Sequence, residues 1–168
     1  MPITIRTIEP GDAEALTELL TVVDAETQFL LYEPGERTTS ADEWRTRFAE
    51  IRADGLGEIF IAEDEGHMVG FLSALGESRQ RLRHAIRLFI AIRQSHTGQR
   101  IGTQLFAAME AWARGRGVHR VELHVASNNR QAIELYHKCG YHVEGFHRHA
   151  IRLGEAWIDD YTMAKLLE

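Results

Sequence analysis

The chain has 168 residues, 44% of them apolar and 26% charged, with a formal net charge of −6 at pH 7. That size and balance predict a single domain over residues 1–168 with a real core, and the acidic balance argues against a general nucleic-acid binder. No apolar run approaches the roughly 20 residues needed to cross a bilayer, the start Met1-Pro-Ile-Thr-Ile-Arg6 carries no signal-peptide pattern, and the lone Cys139 has no partner for an internal disulfide, so no membrane partner and a cytoplasmic location are expected.

Ile3 to Thr7 alternates and predicts a first strand. Pro10-Gly11-Asp12 reads as a turn and cap before a helix from about Ala13 to Val23. Residues 24–39 are the least regular part and predict a loop bordering a pocket. Ser40 with Glu43 is a capping-box pair opening a helix to about Ala53. Glu58–Glu63 and Val69–Leu75 predict a hairpin around Asp64-Glu-Gly66.

Ile86 to Ile92 reads as a buried strand, and Gln99 to Ala113 as a helix with Ile101, Leu105, Ala108, Met109 and Trp112 at helical spacing. The loop between them leads to an open helix N-terminus, where free N–H groups and the positive dipole end favour an anion. Gly102 in the first turn lets another group approach the backbone closely, and Arg100 adds a fixed charge. Arg120 to Ala126 alternates Val121, Leu123 and Val125 against Glu122 and His124, a half-exposed strand.

The run Asn129 to Tyr141 packs an N-cap, an amphipathic helix and a Gly stop into one short stretch. Ala132, Leu135 and Tyr136 share a face, and Asn129 lies two turns before Tyr136 on the same side. Read from spacing alone, Tyr136 is either a packed core residue or the polar tip of a site. His142–Arg152 and Trp157–Met163 predict a second hairpin. Strands and helices mixed around one sheet make an α+β layered domain.

The two segments together resemble the GNAT superfamily of N-acetyltransferases, which use acetyl-coenzyme A. The family's loop pattern, Arg/Gln-x-x-Gly-x-Gly/Ala, meets the window Thr97-Gly98-Gln99-Arg100-Ile101-Gly102. Only the last Gly is kept: Thr97 stands for the Arg or Gln, and Arg100 for the central Gly. The pattern Asn-x-x-Ala-x-x-Leu-Tyr-x-x-x-Gly-Phe/Tyr is matched at Asn129, Ala132, Leu135, Tyr136, Gly140 and Tyr141.

The resemblance implies a three-layer fold, with a mostly antiparallel sheet of about seven strands splayed between the fourth and fifth and flanked by about four helices. It implies that Ile90, Ala91 and Ile92 contact the pantetheine arm, that the Gly98 to Thr103 amides hold the pyrophosphate, and that Thr97 belongs to the same coenzyme site. Asn129, Ala132 and Lys138 complete the coenzyme site. Tyr136 would protonate the departing thiolate, a task suited to a phenol that is protonated at neutral pH. His124 falls in the slot of a catalytic Glu in ribosomal-protein alanine acetyltransferases, so it is the candidate base. Ordered water, with His124 and Glu122 as solvated strand residues, is the other option.

An acyl-CoA-dependent N-acyltransferase acting on a small primary amine, an amino acid or a polyamine, is therefore expected. A protein N-terminus as acceptor, or a coenzyme-A-binding regulatory module with little catalysis, remain alternatives, and a homodimer stays open. No metal is expected: His147 and His149 are two apart on a strand, but no ligand pattern accompanies them. His84 borders the acceptor side or lies on the surface. Trp44, Trp112 and Trp157 are expected in the core or an interface, and Cys139 as a packed small hydrophobe.

Overall fold

Alternating apolar residues bury both sides of one sheet, so helices must cover each side. The computed structural model describes residues 2–168. Its strands are Thr4–Thr7 (β1), Gly57–Asp64 (β2), His67–Gly76 (β3), Ala85–Ile92 (β4), Arg120–Ala126 (β5), His142–Leu153 (β6) and Ala156–Leu166 (β7). Its α-helices are Ala13–Glu26 (α1), Ala41–Asp54 (α2), Ile101–Gly115 (α3) and Arg130–Lys138 (α4). Among the described residues the sheet runs β1-β2-β3-β4-β5-β7-β6, antiparallel except between β4 and β5. This is the splayed, three-layer α+β architecture that the sequence resemblance implies.

Successive residues of a strand point to opposite faces. In β2, Phe60 and Ala62 join Leu72, Leu88, Val121 and Leu123 in the core beneath α3 and α4. Ile59 and Ile61 join Phe71 and Ala91 on the other face, beneath Leu16, Leu20 and Phe48 of α1 and α2. The capping box at Ser40 is formed, with Ser40 accepting from the Glu43 N–H, and the helix ends at Gly55 in the left-handed region.

Several local expectations shift. Helix α3 begins at Ile101, not Gln99, because Arg100 adopts φ 63° and Gln94–His96 forms a separate 3₁₀ turn. Helix α1 continues past Val23 to Glu26. Asp12 caps nothing there: it accepts from the Glu9 N–H, and both its oxygens are taken by Arg6 at 2.8 Å. Trp157 is 56% exposed and stacks on His149, whereas Trp44 and Trp112 pack against the cores.

One ion pair ties the irregular segment to the rest. Asp24, 2% exposed in the last turns of α1, accepts from Arg37 Nε at 2.7 Å and from its Nη2 at 3.0 Å. Arg37 also lies over the Tyr32 ring, 4.1 Å from its centroid. The stretch from Thr27 to Ser40 is thereby pinned against α1 rather than left free. Asp24→Ala leaves the Arg37 charge without its partner in a largely buried position. Urea unfolding should show a loss of about 3 kcal/mol, the scale for breaking a buried pair from one side.

Candidate active site

Among the described residues, strands β4 and β5 pair only at Ala85–Arg120, Ile86–Val121 and Arg87–Glu122. Beyond Glu122 they part, while β4 stays paired to β3 as far as Ile92 and β5 to β7 as far as Ala126. The inner edge of β4 from Leu88 to Ile92 thus presents backbone N–H and C=O groups without a strand partner. Such groups need a partner wherever water is excluded. A cleft of about 2370 Å³ fills the opening, and Ile90, Ala91 and Ile92 line it. Ile90 and Ile92 pack toward the α3 face, while the Ala91 side chain points to the α1 face.

At the open end of β4 the chain turns through Arg93–Arg100 into α3. Glu26 holds this turn by accepting from Arg93 Nε at 3.0 Å and from the Gln94 N–H at 2.8 Å. Thr97 closes it by donating its hydroxyl to the Gln94 carbonyl at 2.9 Å. The first intrahelical bond of α3 is Gln104 N–H to Arg100 C=O, so the Ile101, Gly102 and Thr103 amides have no acceptor within the helix. Gly98, at φ 78°, and Arg100, at φ 63°, supply the two left-handed bends that set this opening. Thr97, Gly98, Arg100, Ile101, Gly102 and Thr103 line the cleft. Gln99 is left out and reaches back to the Ser95 carbonyl.

Gly102 is approached closely from α4 as well as opening onto the cleft. A Cβ there would stand 2.6 Å from Leu135 Cδ2. The neighbour that comes this close to the glycine is the Leu135 side chain of α4. Arg100, which stands where the loop pattern has its central Gly, adopts the left-handed conformation.

Asn129 caps α4 by accepting the Ala132 N–H at 3.3 Å, and Gly140, at φ 90°, terminates it. Asn129, Ala132, Tyr136 and Lys138 all line the cleft. Tyr136 is 7% exposed, with its ring set edge-on to Phe106 and Tyr141. Burial pushes its phenol well above the ordinary tyrosine range, so it holds its proton at working pH. Cys139 is half-buried; burial raises its thiol too, and its carbonyl accepts from Lys165.

Glu122 and His124 alternate with the buried Val121, Leu123 and Val125 and therefore face the α1 side of the sheet. His124 Nδ1 is 2.9 Å from Asp160 Oδ2, and its Nε2 is 3.7 Å from Glu122 Oε1. Asp160 faces across from Ala126 on β7 and lines the same cleft. Arg120 donates to Glu122 at 2.9 Å and, with Arg87, holds its carboxyl below the usual carboxylate range. Segment Thr27–Pro34 walls this side, as the irregular 24–39 stretch suggested, and His84 also borders the cleft. His147 bonds Thr162 at 3.0 Å, and its ring centroid stands 5.9 Å from that of His124.

Asp160 and Arg87 escaped the sequence reading as site residues. Asp160 follows another aspartate in a predicted strand, and only the β5–β7 register brings it to His124. Arg87 sits inside an otherwise apolar strand, and that lone charge was the available signal.

A splayed sheet, a free β4 edge, an open helix N-terminus and a buried phenol thus meet on one cleft. The acetyltransferase (GNAT) family model matches residues 23–141, and the chain belongs to that family. Over 128 residues it is 30% identical to the L-amino acid N-acetyltransferase AaaT of Escherichia coli (strain K12), covering 73% of this chain and 75% of the relative. The acetyltransferase of GNAT family from Streptococcus pneumoniae shares the fold with a TM-score of 0.94 at 28% identity, over 99% of this chain and 100% of that chain. A GNAT superfamily phosphinothricin acetyltransferase from Sinorhizobium meliloti, solved in complex with AcCoA, gives 0.86 at 21% identity over 99% and 89%.

A left-handed non-glycine residue costs about 1–2 kcal/mol, part of which glycine loses again through its freer unfolded chain. Arg100→Gly should therefore raise unfolding stability by about 1 kcal/mol, read as a higher urea midpoint at unchanged slope. Gly102→Val, in contrast, should cost about 1–3 kcal/mol by displacing Leu135.

Proposed function

We propose that the chain transfers the acetyl group of acetyl-CoA to the primary amine of a small molecule, with an amino acid as the first choice of acceptor. The observation that carries this reading is the His124–Asp160 pair at 2.9 Å on the α1 side of the cleft, with Tyr136 in α4 on the other.

The residues present fit the donor. Free amides at Ile101, Gly102 and Thr103, with the Arg100 guanidinium, suit a pyrophosphate. The unpaired β4 edge at Leu88–Ile92 suits the amides of a pantetheine arm, and Asn129, Ala132 and Lys138 flank its path. Bound there, acetyl-CoA supplies an activated acetyl thioester.

An amine reaches the cleft as an ammonium and must lose a proton before it can attack. Asp160 accepts from His124 Nδ1–H, which fixes the tautomer with the Nε2 lone pair free. His124 Nε2 takes the proton of the ammonium. The ionised Glu122 beside it attracts the cation and stabilises the imidazolium that forms. Tyr136 keeps its own proton until thiolate develops and then donates it from Oη, while the attacking nitrogen gives up its second proton to solvent as the amide forms and Tyr136 recovers one from solvent. Base and acid sit on opposite faces of the splay, so the amine enters from one side while the thiol leaves toward the other. Acceptors of this class fit the amino acid activity of the E. coli relative.

Thiol release over a panel of amines tests the reading and separates an enzyme from a module that only binds. Tyr136→Phe keeps the ring packing and should lower turnover about a hundredfold, with acetyl-CoA affinity by calorimetry barely changed. Undiminished turnover would assign the proton to another group.

His124→Gln and Asp160→Asn should each flatten the acid limb of the pH–rate profile, with the loss shrinking at high pH as free amine accumulates. A wild-type profile in both variants would leave deprotonation to water.

A further inference from the structure

Two cations face the α1 side of the cleft from the paired stretch of β4 and β5, Arg87 in the last pair before the splay and Arg120 in the first, and their bonding differs. Arg120 is fully engaged, donating to Glu122 at 2.9 Å and to Glu144 at 2.6 Å. Arg87 is not. Its one hydrogen bond among the described residues is Nη2 to Glu122 Oε1 at 3.3 Å, and 70% of its side chain is exposed. The remaining N–H groups of its planar fork are available to a ligand, and a guanidinium matches a carboxylate with two parallel bonds.

Its position relative to His124 is set by a shared oxygen. Glu122 Oε1 lies 3.3 Å from Arg87 Nη2 and 3.7 Å from His124 Nε2. The guanidinium nitrogen and the free imidazole nitrogen are therefore no more than about 7 Å apart. An α-amino acid places ammonium and carboxylate oxygen roughly 3 Å from each other. With a hydrogen bond of about 3 Å at each end, it bridges a gap of that size. The charges run in the same sense: negative Glu122 and Asp160 lie around the position of the ammonium, and positive Arg87 lies beyond it.

We infer that Arg87 binds the α-carboxylate of the acceptor while His124 meets its α-amine, so that the cleft selects free α-amino acids over polyamines, amino acid amides and the N-terminal amines of peptides. This rests on the acetyltransferase reading above and names the substrate class of that same site. A polyamine carries no group for Arg87, and a second ammonium placed beside the guanidinium is repelled. An amide or ester of the amino acid keeps the amine but forfeits the charge-assisted fork. The surface around the pair is polar and partly open, so the carboxylate gains from a fixed donor without full burial of either charge.

The test compares kcat and KM for a set of L-amino acids, their carboxamides and methyl esters, and spermidine, with acetyl-CoA saturating. Wild-type chain should prefer the free acid over its amide by about tenfold to a hundredfold in kcat/KM, the scale of one charged hydrogen-bonded contact. Arg87→Gln should raise KM for the free acids by about the same factor, leave kcat within about threefold, and abolish the preference over the amides. Arg87→Lys keeps the charge without the fork and should recover part of the loss. The exposed position leaves the melting temperature of both variants close to that of the wild type.

A wild-type preference for amides or spermidine overturns the inference without any variant. So does a folded Arg87→Gln variant with unchanged KM and discrimination. Failure of the wild-type chain to release thiol with any amine overturns the acetyltransferase reading itself, and this inference with it.

Discussion

Beyond Arg87 and Glu122, β4 and β5 cannot remain neighbours, and most of the functional architecture follows from that parting. Each strand has its outer edge satisfied, β4 by β3 and β5 by β7. Their inner edges are left facing one another across a gap that α4 approaches from one side, with Leu135 and Tyr136 packed against the core beneath α3. Unpaired backbone in a sheltered cleft is costly unless a ligand pairs with it. An extended amide-bearing molecule can pair with that edge, as proposed above for the pantetheine arm.

The walls of the cleft are held by two carboxylates of one helix end. Asp24 fastens the Thr27–Ser40 segment through Arg37, and Glu26 fastens the turn after β4 through Arg93 and the Gln94 N–H. A single short stretch of α1 therefore positions both the Thr27–Ser40 wall of the cleft and the turn leading to the open amides of α3. Rigid placement matters for acyl transfer because two reactants must meet in one geometry, and loosely held walls forfeit that advantage.

Charge is sorted across the sheet. On the α3 face lie the helix N-terminus, Arg100 and a buried neutral phenol, a set suited to phosphates and to a departing thiolate. On the α1 face lie Glu122, Asp160, His124 and Arg87, a mixed set suited to a zwitterion. The alternation of β5, with Leu123 and Val125 inward and Glu122 and His124 outward, keeps the two chemistries apart while leaving both within reach of the splay.

Much of this was legible in the chain order of residues. The capping box at Ser40, the Asn129 cap, the Gly140 stop and the period-two pattern of β5 are local, and local preferences decide them whatever surrounds them. The motif around Tyr136 marked the family. Other features needed the assembled fold. The left-handed Arg100 broke the expected start of α3, because backbone conformation at one non-glycine residue is set by the turn it must close. Gly102 answers to Leu135, a contact between helices that no spacing within α3 reveals. Asp160 and His124 are 36 residues apart and meet only through the register of β5 on β7. Sequence by itself determined which elements form and which chemistry-bearing residues exist. Tertiary structure decided which of those residues share a cleft, because side-chain distances across a sheet depend on strand order and register, which are properties of the whole chain rather than of any segment.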